Sequence, residues 1–280
     1  MNPAWIQAFP SAIQDDAGTR VEQTMRFGLQ GLTTAPWAQH IGQGTSLDAI
    51  QRVLETSHAG LIVLDLPAGH DGLDEWPKNT WALNTHTRIV PLTQGEDPLE
   101  LWPSHRRKQW RRAEREGSVV ERTQDVDLLV DLHQAARHRK GIVSNGTQLK
   151  ALLTALLLQP DTHAWKVTLS GGKVVAGGVF HGDGDQSCIY GFGGQFRGQK
   201  AGETSRATVL LLGTAMRHAA KSGAKHFDFG GSQDPGVDRF YAEFGAAKHD
   251  KLKVVRIEWP WRLILRWARP DLFPRKSRPD

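Results

Sequence analysis

The chain has 280 residues, 39% of them hydrophobic and 23% charged, with a formal net charge of +5. That balance excludes an intrinsically disordered protein and allows one large domain or two of ordinary size. A single cysteine, Cys188, placed in an apolar run as core filler, leaves neither a disulfide framework nor a cysteine zinc site.

No basic segment followed by an apolar run occurs over Met1 to Ile13, and no uncharged apolar stretch reaches the ~18 residues of a membrane span. A cytoplasmic protein is the expectation. The cations cluster between Arg106 and Arg115 and again from Arg256 onward. Such patches suit polyanions, including nucleotide cofactors, RNA and acidic lipid surfaces.

Up to about Gly44 the periodicity is weak. Ser46 is a suitable N-cap for a helix over 46–58, closed by Gly60, in which Leu47, Ile50, Val53 and Leu54 share a face. The short apolar run Leu61 to Leu66 predicts a buried strand, and residues 80–92 one or two more. Pro91 to Pro98, with two prolines, a glycine and acids, is the best linker and places the domain boundary. Residues 1–95 then form a first α/β unit, 96–258 a second, and 259–280 a basic tail rich in Trp and Arg.

In the second unit Ser104 can cap a helix over 105–116 that Gly117 ends, and its six cations could all face water. A strand over 118–122, a helix capped by Asp125 and a leucine-rich helix stopped by Pro160 follow. Strands over 164–169, 173–181 and 187–192 form two successive hairpins across glycine turns. A glycine-rich loop, Gly191 to Gly202, leads into a helix over 204–221, then a strand over 225–229, a short helix around Phe240 and a last strand over 252–257.

The centre of the pattern is Phe227-Asp228-Phe229-Gly230-Gly231-Ser232, followed by Asp234-Pro235-Gly236, Arg239-Phe240-Tyr241 and Phe244-Gly245-Ala246. An apolar strand carrying one acid ends in two glycines that permit backbone shapes or approaches a Cβ would block. The residues suit either a strand delivering a carboxylate to a crevice or a tight turn in which Asp228 caps the backbone.

The order β-α-α-β-β-β-α-β-α-β over 118–257 is similar to the GNAT acyltransferase fold. The stretch from Phe227 to Ser232 with Gly236-Val237-Asp238-Arg239-Phe240 and Phe244-Gly245 resembles the C-terminal signature of FemAB-like transferases. Arg111-Arg112-Ala113, Glu116-Gly117 and Val174-Val175-Ala176-Gly177-Gly178 resemble that group as well. The resemblance implies an α/β fold with a GNAT-like mixed sheet and helices on both faces, in two GNAT-like units of which the first is reduced. It implies an N-acyltransferase that moves an acetyl, other acyl or aminoacyl group from acyl-CoA or aminoacyl-tRNA to a small-molecule or peptide amine. Members that act on the cell wall use aminoacyl-tRNA and a peptidoglycan precursor.

Such chemistry needs an activated acyl donor, a free amine and stabilisation of the tetrahedral oxyanion. The resemblance implies that the strands around Ser187 to Phe192 and Lys225 to Phe229 part to hold the acyl group, with donor phosphates against the following helix N-terminus. Gln195, Arg197, Gly198, Lys200, Gly202, Thr204 and Ser205 are the donor-binding candidates, although Lys200 stands where the acetyl-CoA pattern has a small residue. Asp228 is the first candidate acid and Glu203, at the helix start, the second. Tyr241 replaces the lysine of the family's Arg-Phe-Lys pattern and could donate a proton to a leaving group. Gly230, Gly231, Ser232 and Arg239 are the candidates for binding substrate.

His133 and His138 are five residues apart on a helix, the wrong spacing for one face, so no metal is expected. The tail Trp259-Pro260-Trp261-Arg262-Leu263-Ile264-Leu265-Arg266-Trp267 mixes large apolar groups with cations and fits either packing on the protein or contact with the inner face of a membrane. A catalytically silent RNA- or lipid-headgroup-binding protein is the reading from a different class.

Overall fold

A computed structural model describes residues 3–70, 72–142, 144–183, 186–197, 202–231 and 234–274. Its contacts divide the chain into two compact units, one of Phe9–Thr87 with His249–Asp280, the other of Asn2–Ala8 with Arg88–Lys248. This differs from the sequence expectation in two respects. The division falls at Thr87, inside a strand, rather than in the Pro91 to Pro98 linker, and the C-terminal segment is part of the first unit. A unit that passes into the next within a strand has no turn residues to mark it. The return of the last strand is a pairing of very long sequence separation, which no local pattern reports.

Helix α1 (Ala4–Ala8) opens the chain and counts with the second unit. The first unit then begins with a meander of β1 (Ala12–Asp15), β2 (Gly18–Thr24) and β3 (Gln30–Thr34). Three consecutive buried residues and then three exposed ones in β2 erase the period of two, so these strands carry no readable alternation. Helix α2 (Leu47–Thr56) starts where expected, with Ser46 Oγ accepting the Ala49 N–H at 3.1 Å, and buries Ala49, Ile50 and Leu54. It ends at Ser57 rather than at Gly60. Strand β4 (Leu61–Asp65) pairs parallel with β3.

A single long strand, β5 (Thr80–Pro91), leads into the second unit. Helix α3 (Ser104–Arg115) has Pro103, not Ser104, in the capping position and no side-chain cap. Then come β6 (Val119–Arg122), α4 (Val126–His138), α5 (Gly146–Leu157), β7 (His163–Thr168), β8 (Val174–Gly182), β9 (Ser187–Gln195), α6 (Glu203–Lys221), β10 (His226–Asp228) and α7 (Pro235–Ala242). Asp125 caps α4 as expected. The unit's strands run in the order β5-β10-β9-β8-β7-β6, antiparallel except for β9 and β10. The strand expected over 187–192 runs on to Gln195, so Gly193 to Gln195, expected as loop, belong to β9. Strand β11 (Ala247–Ile257) and helix α8 (Trp261–Ala268) return to the first unit, whose strand order is β1-β2-β3-β4-β11.

The second unit's core gathers Trp102, Trp110, Leu210, Leu212, Met216, Phe227, Phe229 and Phe244. Gly213 sits in the middle of α6, where glycine weakens a helix by about 1 kcal/mol. A Cβ there would lie 2.3 Å from the Trp110 ring and 2.7 Å from Trp102, so its absence lets both indoles press onto the helix. Cys188 is packed in this core, and burial pushes its thiol up to about 12.

Not all six cations of α3 face water. Arg106 is buried, hydrogen-bonds Gln109 at 2.6 Å, pairs with Glu243, and lies 4.5 Å over Phe240 and 5.2 Å over Phe244. An arginine can accept such a place because its guanidinium satisfies an acid and an aromatic face together.

Candidate active site

Strands β9 and β10 run parallel only from Ser187, Cys188 and Ile189 against His226, Phe227 and Asp228. Beyond that, β9 continues for six residues to Gln195, whereas β10 stops, so the two part. A cleft of about 590 Å³ opens there. The Tyr190 to Gln195 edge of β9 forms one wall, the first turns of α6 (Ser205, Thr208) another, and Gly231, Val237, Phe240 and Tyr241 a third. The end of α4 brings Arg137, Arg139 and Lys140 to it.

The β9 wall is glycine-rich for a packing reason. A Cβ on Gly194 would sit 2.2 Å from the Leu132 carbonyl group, and one on Gly193 would collide with the Tyr190 hydroxyl. Helix α4 therefore rests directly on the strand backbone. His133 in that helix packs edge-on against Phe192, centroids 5.9 Å apart, and burial lowers its pKa to about 4, with Arg137 adding to the effect.

Helix α7 is held at both ends by arginines. Arg88 forms a two-pronged pair with Asp238 at 2.8 and 2.7 Å, and Arg106 grips Glu243. Between them Tyr241 stacks on Phe229, with Tyr190 edge-on at 6.4 Å. Burial pushes the Tyr241 phenol up to about 12, and that of Tyr190 also upward. Tyr241 is thus a neutral O–H donor throughout the physiological range.

The structure brings Gln195, Ser205, Gly231 and Tyr241 to the cleft. Gln195 Oε1 accepts the Thr208 hydroxyl at 3.0 Å, and the Thr204 hydroxyl donates to the Phe196 carbonyl at 3.3 Å. Gly202, at φ +71°, is the N-cap residue of the 19-residue α6 and, as a glycine, supplies no side-chain cap.

Other candidates lie elsewhere. Asp228 is buried, and its Oδ1 accepts the Gly230 N–H at 2.7 Å, shaping a turn in which Gly230 and Gly231 take φ of +78° and +71°. It is not among the described lining residues. Neither are Glu203, half-buried at the start of α6, nor Arg197 and Arg239, both exposed. Gly198, Lys200 and Ser232 lie outside the described residues.

Sequence reasoning passed over Arg88, Arg137, Arg139, Lys140, Tyr190 and Thr208. The run Arg137-His138-Arg139-Lys140 at a helix end was a visible signal for the basic wall. Among the described residues no group of His, Cys, Asp or Glu could hold a metal ion, and no carboxylate lines the cleft.

Residues 104–243, half of the chain, match the family model described as an acetyltransferase (GNAT) domain. The chain belongs to the GNAT acetyltransferase family. The matched stretch contains α3 to α7 and hence every wall of the cleft. No curated protein matches the sequence. Among solved structures, FemX is similar over 86% of this chain and 86% of its own, with 14% identity and a TM-score of 0.61. The C-terminal domain of a putative lysylphosphatidylglycerol synthetase from Agrobacterium fabrum is similar over 96% and 91%, with 11% identity and a TM-score of 0.61. L-PGS from Bacillus licheniformis is similar over 98% and 93%, with 11% identity and a TM-score of 0.59. These likenesses extend the shared fold over both units of this GNAT protein. It is an acyltransferase.

Proposed function

We propose that this GNAT protein transfers an acyl group from an acyl-CoA thioester to a primary amine, in the cleft between β9 and β10. The parting of those strands after Ile189 is the observation that carries the reading, because among the described residues β10 does not follow β9 beyond that point and a cleft of substrate size lies along it. The acyl carbonyl lies against backbone donors of β9. The donor's phosphates face the start of α6, with Arg137 and Arg139 adding positive charge, while Lys140 is paired with Asp234 at 2.6 Å.

The amine nitrogen forms the new bond to the acyl carbon, and the carbonyl oxygen takes negative charge that β9 amides stabilise. The carbon–sulfur bond then breaks, and Tyr241 gives its proton to the departing sulfur. The amine's surplus proton returns to the tyrosine or to water. Asp228 acts here by shaping the Gly230 and Gly231 turn.

A second donor class is favoured by one observation. The face of α3 carrying Arg107, Lys108, Arg111 and Arg115 is exposed, a surface suited to the polyanion of an aminoacyl-tRNA. The likeness to FemX and to lysylphosphatidylglycerol synthetases makes cell-envelope biosynthesis the setting we propose, with a peptide or small-molecule amine as acceptor. Incubation with acyl-CoA thioesters and with aminoacyl-tRNAs, each against a panel of amines and read by mass spectrometry, tests the reading. Amide product from the thioesters that persists in excess tRNA supports it. Product from aminoacyl-tRNA alone, falling steeply with salt, replaces it with the second reading.

A further inference from the structure

Helix α8 shows two unlike faces. Leu265 and the partly buried Trp261 face a core of Leu29, Leu61, Val255, Ile257 and Leu272. On the other side Leu263 and Trp267, one turn apart, are 61% and 93% exposed, with Ile264 and Trp259 beside them at 44% and 71%. The inner contacts hold the helix, so the outer ridge is not needed for folding. Four large apolar side chains left in water on so short a segment form the kind of patch that marks an interaction surface.

The occupant is indicated by what flanks the ridge. Arg262 and Arg266 are both exposed, and their guanidinium groups lie 5.1 Å over Trp81 and 6.0 Å over Phe273. These contacts keep two cations on one flank of the ridge. Arg269 is neutralised by Asp271 and contributes little. Trp beside Arg on an amphipathic helix matches the interface of a bilayer, where an indole ring seats between headgroup and chain and a guanidinium meets phosphate. The turn between β2 and β3 adds a further aromatic. Phe27 is 70% exposed and held at φ +63°, while Leu29, two residues on, lies with Trp261 around Gly60.

We propose that the outer face of α8, led by Trp267 and Leu263 and flanked by Arg262 and Arg266, docks the protein peripherally on an anionic lipid surface. The helix lies in the interface without crossing it, and no helix among the described residues is long and apolar enough to span a bilayer. This inference does not depend on the acyl donor or acceptor.

The test is co-sedimentation of the full chain with vesicles of phosphatidylglycerol and phosphatidylcholine, or of phosphatidylcholine alone, using wild type, Leu263→Glu/Trp267→Glu and Arg262→Gln/Arg266→Gln. Wild type should bind the anionic vesicles, and the first variant should lose about tenfold or more of that binding with an unchanged circular dichroism spectrum. The second should lose binding chiefly to anionic vesicles at low salt, and lipids brominated in the upper chain should quench wild-type tryptophan fluorescence. Equal binding by wild type and Leu263→Glu/Trp267→Glu overturns the proposal. So does a wild type that ignores vesicles but forms dimers that this variant cannot, which would make the ridge a contact between copies.

Discussion

Tyr241 stacks on Phe229, ring centroids 4.4 Å apart and planes 18° from parallel, which fixes a phenol from α7 against the chain leaving β10. The FemAB-like pattern that the sequence resembles has a lysine at this position, where the chain carries a neutral donor whose proton burial retains. Burial pushes the phenol up to about 12, so Tyr241 enters the reaction as a neutral O–H donor aimed at charge developing on the leaving sulfur.

Tyr241→Phe keeps the ring stack and removes only the proton. It should lower kcat by about 10²-fold, the usual scale of a general acid, while leaving KM and thermal stability near wild type. Steady-state kinetics with the donor found in the screen checks this. An unchanged kcat would remove Tyr241 from the proposed chemistry.

The lack of a carboxylate among the described cleft residues shapes the pH dependence. An acceptor amine must arrive as its free base, so kcat/KM should climb with pH until the acceptor's own pKa and then level. Tyr241 introduces no fall until far into the alkaline range. Acceptors of different pKa should shift the limb accordingly. A limb that stays fixed across acceptors and moves in Asp228→Asn would instead assign base catalysis to Asp228.

Stability should fall on acidification through His133. Its folded pKa of about 4 lies below the value of 6.5 for a free imidazole, so the unfolded chain binds the extra proton between those limits. Stability is therefore complete above about pH 6.5 and is lost progressively toward about pH 4, by roughly 3 kcal/mol from this group. Burial also lowers His163 and His218, adding loss of the same sign. Urea unfolding of wild type and His133→Gln across this range checks the prediction, and the variant should show the shallower slope.

Gly194→Ala should destabilise the protein by about 1–3 kcal/mol, since its methyl group would occupy the place of the Leu132 carbonyl and push α4 off β9. Arg106→Ala should cost about 1–3 kcal/mol through the charged hydrogen bonds it removes, and should lower activity as well because α7 loses an anchor. Thermal denaturation alongside kinetics separates the two cases from Tyr241→Phe, which changes rate alone.

Much of the fold was legible because its signals are local. Ser46 and Asp125 cap the helices they begin, and the glycine turns set the hairpins. The rest was hidden where a residue's role depends on distant chain. Arg106 looks like one more solvated cation until Glu243, Phe240 and Phe244 arrive around it. Gly193 and Gly194 read as loop because glycines in a strand are uncommon, and only the Tyr190 hydroxyl beside the first and the approach of α4 to the second explain them. Asp228 stood out as an acid in an apolar strand, yet the same pattern describes the turn cap it forms with Gly230.

The most direct test of the parted-sheet account is amide hydrogen exchange of the full chain with and without saturating desulfo-coenzyme A or a non-hydrolysable aminoacyl-tRNA analogue. The account predicts slowed exchange at Tyr190 to Gln195 and at Glu203 to Thr208 with the analogue of the true donor. Unchanged exchange at both segments, with either analogue bound and protecting another part of the chain, would contradict it.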